Sequence, residues 1–423
     1  MINTRPSLQD SLDHEKRTVK SLGFFAVDRG AFRCAAMGGL NSAIAHLIMA
    51  RGTGRDNRTT QWSVHSIEQR TGISRPNAAR AVTDLVKRGI WKKVRDGKHP
   101  IYEAVPGNEI PGGPFTADEQ AAIAAIRNGE AVPYDSNAAV KALVARGIVK
   151  QTPSSPRRRA SHTLDDMAIS ALTEPLAVWL PNALIDGASN EVPPVELIRQ
   201  TRSVLALRLL IELYAVQFLP NYGGVPRELL KVVFERAKVG EQGPFLVWGF
   251  RSNHLTAGRG LYGPFLTGEF TKGDDGTRRD AGLEASFWPA VHTLTDLGLV
   301  ERVGMLLDGG DDDAEIIHPY GIRDGEPAER ELAAVAKLAA QTMVTEGQFT
   351  WSQKEGYHLA PTLKHIANAT VVEVFRLKYR PNTNATAAWY ALMQQTATEH
   401  LDRYRAMIKG IRSAHEPGMQ YQG

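Results

Sequence analysis

Residues 40 to 105, LNSAIAHLIMARGTGRDNRTTQWSVHSIEQRTGISRPNAARAVTDLVKRGIWKKVRDGKHPIYEAV, decide how the rest of this 423-residue chain is read. Ala43, Ile44, Leu47 and Ile48 recur at helical spacing behind Asn41, a residue type that caps helices, so a helix is expected over Asn41 to Ala50. A polar, basic loop follows. Ser63 then caps a short helix, Val64 to Arg70, which breaks at Thr71-Gly72; the chain turns through Ile73 into a second capped helix from Ser74. There Pro76 falls within the first turn, where its missing N–H costs little, and Ala79, Val82, Leu85 and Val86 make an apolar stripe. The helix stops at Gly89. Two alternating runs around Asp96-Gly97 predict a tight two-residue hairpin.

With its cap, short helix, turn, helix ending in LVKRGIW and basic hairpin, the stretch resembles the winged helix-turn-helix superfamily, notably MarR-type and GntR-type bacterial regulators. The resemblance implies a DNA-binding module whose second helix enters a major groove about 12 Å wide, with the hairpin as its wing. Arg75, Asn77 and Arg80 stand near the start of that helix, where base edges are read. Arg pairs bidentately with guanine and Asn with adenine. Lys87 and Arg88 continue the polar face, and Lys92, Lys93, Arg95 and Lys98 on the wing suit phosphates, which fix position without reading sequence.

From Arg51 to Glu103 there are 12 Lys or Arg against 5 Asp or Glu, whereas the whole chain carries only +4, so everything outside this window is net negative. Such localised charge is the expected electrostatic footprint of a nucleic-acid contact. A winged helix can also serve protein contact, but charge concentrated on helix and wing together is harder to explain without a polyanion.

The length allows two to four domains. One cysteine, Cys34, excludes an intramolecular disulfide framework and any all-cysteine metal site, which fits a reducing cytoplasm. There is no apolar run of membrane-spanning length, and the N-terminus MINTRPSLQDSLDHEKRTVK is polar throughout. A cytoplasmic, nucleoid-associated protein is expected.

Residues 1–39 read as an arm, with a short helix over Asp10 to Leu22 and an extended stretch ending at a glycine pair. Residues 115–151 read as a second, abbreviated winged-helix-like unit: VKALVARGIVK echoes VTDLVKRGIWK, with Val140, Leu143, Val144, Gly147 and Ile148 matching Val82, Leu85, Val86, Gly89 and Ile90. Residues 152–192 read as a linker containing Arg157, Arg158 and Arg159. A third winged-helix-like domain is expected over 193–320, with a helix opening at Pro226 and an insertion at 239–285 whose aromatics form a small β core. Its glycine turn, with Asp311, Asp312 and Asp313, reads as a solvated loop tip rather than a metal site. A helical region, 326–423, closes the chain.

No phosphate-binding loop, HExxH, paired cysteines or serine nucleophile elbow occurs, and Tyr379 or Tyr404 near Arg376, Lys378 and His400 is only a superficial match to tyrosine-based strand transfer. The fold class expected is mainly α with small β-hairpin wings, several winged-helix units and a C-terminal helical region. The function expected is sequence-specific binding of double-stranded DNA, by a bacterial transcription regulator acting as a homodimer, with no catalytic residues, metal or cofactor and no evident small-molecule ligand. Two alternatives stand beside it: a replication initiator of a plasmid or integrated mobile element, and a structural subunit whose winged helices contact protein.

Overall fold

A computed structural model describes residues 23–132, 136–152, 161–187, 191–218, 223–272, 276–311, 314–380 and 383–415. The expected Asp10 to Leu22 helix, Arg157 to Arg159, Asp312 and Asp313 lie outside them. The chain divides into two compact units, one of residues up to 216 with 260–299 and 379–382, the other of 217–259, 300–378 and 383 onward.

In the first unit, residues 23–39 are not an extended arm. Strand β1 (Phe24–Asp28) runs into helix α1 (Arg29–Met37) because Asp28 accepts the Ala31 N–H at 2.8 Å and so caps the helix. Helix α2 (Leu40–Arg51) has Ser42 to Ala50 all buried, so its apolar residues are covered on every side. Next come β2 (Thr59–Thr60), α3 (Val64–Thr71), α4 (Arg75–Lys87), β3 (Trp91–Arg95) and β4 (Ile101–Ala104), and the strands form an antiparallel sheet in the order β2-β4-β3. Buried Ala78, Ala81, Val82 and Leu85 dock α4 on this core, while Ala79 is only half-buried. The hairpin is not the two-residue turn expected. Its loop spans 96–100, with a register shift between Lys93 and Arg95, because Pro100 has no N–H with which to pair.

The sequence echo has a backbone counterpart. Helices α5 (Ala117–Arg127) and α6 (Asn137–Ala145) precede a hairpin of β5 (Val149–Thr152) and β6 (Ser161–Leu164). Ile148 donates to the Leu143 carbonyl at 2.9 Å as Ile90 does to Leu85 at 2.9 Å, and left-handed Gly147 (φ 81°) and Gly89 (φ 72°) make both helix exits possible. Phe115, Ala122, Ile123, Val140, Leu143 and Val149 form this module's core, onto which Leu172 of helix α7 (Asp166–Thr173) packs. Thus the stretch read as a linker contains β6, α7, β7 (Ala177–Pro181) and α8 (Ala183–Asp186), and β7 pairs antiparallel with β1 along five residues. Helices α9 (Pro194–Thr201) and α10 (Val204–Val216) follow.

The expected third module does not form. The helix foreseen at Pro226 is a 13-residue strand, β8 (Leu230–Gln242), paired along its length with β9 (Phe245–Ala257). Leu230, Val232 and Phe234 alternate inward there, so the period is two, not 3.6. Strands β10 (Phe270–Lys272) and β11 (Arg278–Asp280) and helix α11 (Trp288–Asp296) belong to the first unit. Next, β12 (Val300–Leu307) lies between β13 (Ile316–Pro319) and a distant strand instead of forming a simple wing.

That distant strand corrects the C-terminal reading. After helices α12 (Pro327–Thr342) and α13 (Glu346–Lys354), the segment read as helix is β14 (His358–Leu363) and β15 (Thr370–Leu377), before the long helix α14 (Asn384–His415). The six strands make one curled antiparallel sheet, order β13-β12-β15-β8-β9-β14, and all eight residues of β15 are buried in its middle. The structure is 48% helical and 25% strand, so the mainly α class with only small hairpin wings is overturned. Val371, Val372, Val374 and Phe375 carry the reason: β-branched and aromatic residues covered on both faces read as a continuous apolar run, which lacks the alternation that distinguishes strand from helix.

Ion pairs deep inside each unit fix helices to their partners. In the first, Glu212 of α10 accepts Arg33 Nε at 2.7 Å and Arg29 Nε at 2.8 Å; in the second, Arg376 Nη1 lies 2.8 Å from Glu329. Burial alone would raise the Glu212 carboxyl, but the two guanidiniums outweigh it and hold the pKa below the usual carboxylate value. Replacing Glu212 by Gln should cost about 3–5 kcal/mol in urea unfolding, because buried Arg33 and half-buried Arg29 lose their counter-charge. Glu331→Gln, whose partner Arg405 is half exposed, should cost less than about 1 kcal/mol.

Candidate nucleic-acid interface

The turn that aims α4 is built from side chain and backbone together. The Thr71 hydroxyl donates to the Ile67 carbonyl at 2.7 Å and accepts the Ile73 N–H at 3.3 Å, closing α3 and tucking Ile73 into the core. Between them Gly72 takes φ 60°, the left-handed region that favours glycine. Pro76 sits in the first turn of α4, where no intrahelical N–H is needed.

With Ala78, Ala81, Val82 and Leu85 facing inward, Arg75, Arg80, Lys87 and Arg88 are exposed and Asn77 is half-buried. Arg75 is 71% exposed and only touches Glu68, at 4.0 Å. Arg80 and Lys87 have no ion-pair or hydrogen-bond partner among the described residues, nor do Lys92 and Lys98 on the β3–β4 hairpin. The remaining three expected cations are engaged locally. Arg88 Nε lies 2.9 Å from Asp84 Oδ1, and Asp84 also accepts the Ser42 hydroxyl at 2.8 Å, tying α4 to α2. Lys93 Nζ pairs with Asp96 at 2.5 Å, and Arg95 donates to the His99 carbonyl at 3.0 Å. These bonds shape the 96–100 loop, so Arg88, Lys93 and Arg95 act first on the scaffold.

The structure also shows supports that the sequence did not reveal. Trp91 Nε1 donates to His46 Nδ1 at 2.9 Å, joining the first residue of β3 to the middle of α2. Arg70 stacks on Trp62 with its guanidinium carbon 3.9 Å from the ring centroid, and Asp186 of α8 lies 2.8 Å from Arg51 and 3.5 Å from Arg70. Apart from the Arg70–Trp62 stack, the partners in these contacts lie far apart in sequence, and no local pattern joins Asp186 to α3. Cys34 is buried and its thiol is pushed up to about 12, chiefly by burial, which leaves it protonated and unreactive. Tyr404 in the second unit is buried, with its hydroxyl 2.8 Å from His318 Nε2.

Compared with known proteins, the chain matches no family model, no curated protein and no solved structure. Among the described residues, no helix is long and apolar enough to cross a membrane.

Full burial pushes His46 down to about 4 from the ordinary histidine value near 6.5, so it is neutral beneath the hairpin. The unfolded chain takes up this proton as pH falls below about 6.5, but the folded protein does not until about 4. Stability of the first unit should therefore drop across that interval, by as much as about 3 kcal/mol. The difference between the urea midpoints at the two ends, multiplied by m, measures it, and His46→Phe should flatten the dependence.

Proposed function

We propose that residues 40–105 form a winged helix-turn-helix that binds double-stranded DNA sequence-specifically, and that the protein is a bacterial transcription regulator. Four exposed cations without an internal partner, Arg80, Lys87, Lys92 and Lys98, carry this reading. Cations with no internal carboxylate to neutralise them give their full charge to a polyanion and displace its counterions. Arg75, Asn77 and Arg80 fall on the first half of α4, the part of such a helix that meets base edges, whereas Lys92 and Lys98 fall where a wing meets phosphate.

The second reading, an initiator of plasmid or mobile-element replication, is favoured by one observation: α6, β5 and β6 repeat the backbone hydrogen bonds of α4, β3 and β4. Two such modules in one unit suit repeated sites along a duplex. Recovery of genomic fragments by the purified protein at roughly physiological salt separates the possibilities. A few promoters with an inverted repeat support a dimeric regulator, and closely spaced direct repeats beside an AT-rich tract support an initiator; no enrichment leaves protein contact as the function.

On a selected site, Arg80→Ala should weaken binding by about 1–3 kcal/mol and relax preference at one position. Lys98→Ala should weaken all sequences alike and lower the slope of log K against log salt by about 1. Unchanged binding in both variants would remove this module as the reader.

A further inference from the structure

Strands β1 and β7 of the first unit make a sheet of two strands, and β7 has no second neighbour in it. Asn182 N–H donates to the Gly23 carbonyl and Arg29 N–H to the Leu176 carbonyl, both at 2.9 Å, so Leu176, Val178, Leu180 and Asn182 turn their backbone groups towards β1. The intervening residues face the other way. The N–H and carbonyl of Ala177 and Trp179, and the carbonyl of Pro181, therefore point to the open edge. Among the described residues no hydrogen bond reaches Ala177 or Trp179 there, and both residues are exposed. Such an edge is a template for another strand.

This edge lacks the charges that usually protect one. Between Glu174 and Asp186 the chain reads PLAVWLPNALI, without a single ionisable side chain. Val178 and Leu180 are buried beneath the sheet, whereas Trp179 is 47% exposed and projects from the outer face. Phe24 of β1, 46% exposed, packs edge-on against Trp179 with ring centroids 5.2 Å apart, so the indole is already held in place on the open face.

We propose that β7 is the strand through which two copies of this chain join, antiparallel, into one four-stranded sheet. The strand is complementary to itself. Full overlap of two such strands sets Trp179 opposite Trp179 of the second copy, each N–H donating to the other's carbonyl. It also sets Ala177 opposite Pro181, whose carbonyl accepts the Ala177 N–H and whose own missing donor falls at the end of the ladder, where it interrupts nothing. Both indoles then share the outer face with Phe24 of each copy beside them, an aromatic cross-strand arrangement that stabilises antiparallel pairs. Any peptide could meet the backbone of this edge, but only a second copy also brings that matching pair of rings. Phe24, Trp179 and the exposed Leu176 leave roughly 250–300 Å² open, well short of the about 800 Å² per partner of a standard interface, so the association is micromolar rather than nanomolar. None of this depends on what residues 40–105 bind.

Sedimentation equilibrium of the full chain without DNA, over roughly 1–200 μM, should show the mass rising from 46.4 kDa towards twice that value. Ala177→Pro removes an N–H that β1 does not use, and Trp179→Lys places a charge on the open edge. Each should raise the dissociation constant at least about tenfold while the thermal unfolding of the monomer changes little. Trp179→Lys alters only an exposed side chain and decides the matter if the proline variant does not fold. A chain that stays monomeric throughout this range overturns the proposal. Association at full strength in the folded variants overturns it as well, by assigning the dimer to another surface. Because no DNA is present, either result leaves the DNA-binding reading to its own test.

Discussion

One buried carboxylate holds the first unit together. Glu212 is 2% exposed and meets Arg29 and Arg33, which lie 183 and 179 residues earlier in the chain. Taking three charges out of water is costly, and that cost is offset only when the geometry is close and the remaining donors are satisfied. Here both guanidiniums meet the same carboxylate and Arg33 also donates to the Leu172 carbonyl at 3.2 Å. The triad thereby fixes α10 and α7 against α1. Because α1 packs on α2, and α2 carries His46 and Ser42, the placement of α4 and of the β3–β4 hairpin follows from this contact.

The basic surface is thus two populations of charge. Arg88, Lys93 and Arg95 spend their hydrogen bonds on α4 and the hairpin, so they hold the shape of the surface. Arg80, Lys87, Lys92 and Lys98 have no such partner among the described residues and remain available to a ligand. A count of lysines and arginines cannot separate these groups, because an i,i+4 or cross-loop carboxylate decides which is which. Asp84 and Asp96 are those carboxylates for Arg88 and Lys93, and the His99 carbonyl does the same for Arg95.

In the second unit, two more buried pairs do similar work within the six-stranded sheet and its helices. Arg302 of β12 meets Glu373 on neighbouring β15 at 2.5 Å, and Arg376, on the same strand, reaches Glu329 in α12. Burial raises the Glu373 carboxyl although Arg302 opposes it. Strand β15 is therefore both the apolar centre of the sheet and the carrier of its buried charges. That combination explains why TVVEVFRL does not announce itself as a strand: both faces are covered, Glu373 and Arg376 included, so the alternation of period two is lost.

Local chemistry wrote residues 40–105 and the echo at 137–152 plainly into the sequence. Gly72, Gly89 and Gly147 sit where helices must end in left-handed backbone, Pro76 where a helix begins, and apolar residues recur at 3.6, so α2, α3, α4 and α6 could be placed within a residue or two. The hairpin was legible but its loop was not, since Pro100 forbids the pairing that Asp96-Gly97 advertises. What the tertiary structure alone decided was which strands meet: β1 with β7, β12 with β15, and the 13-residue β8–β9 pair. It also decided that Trp91 would find His46, and Arg33 would find Glu212. Strand pairing and buried polar contacts join residues tens to hundreds of positions apart, and their energy depends on desolvation and geometry that no window of the sequence contains.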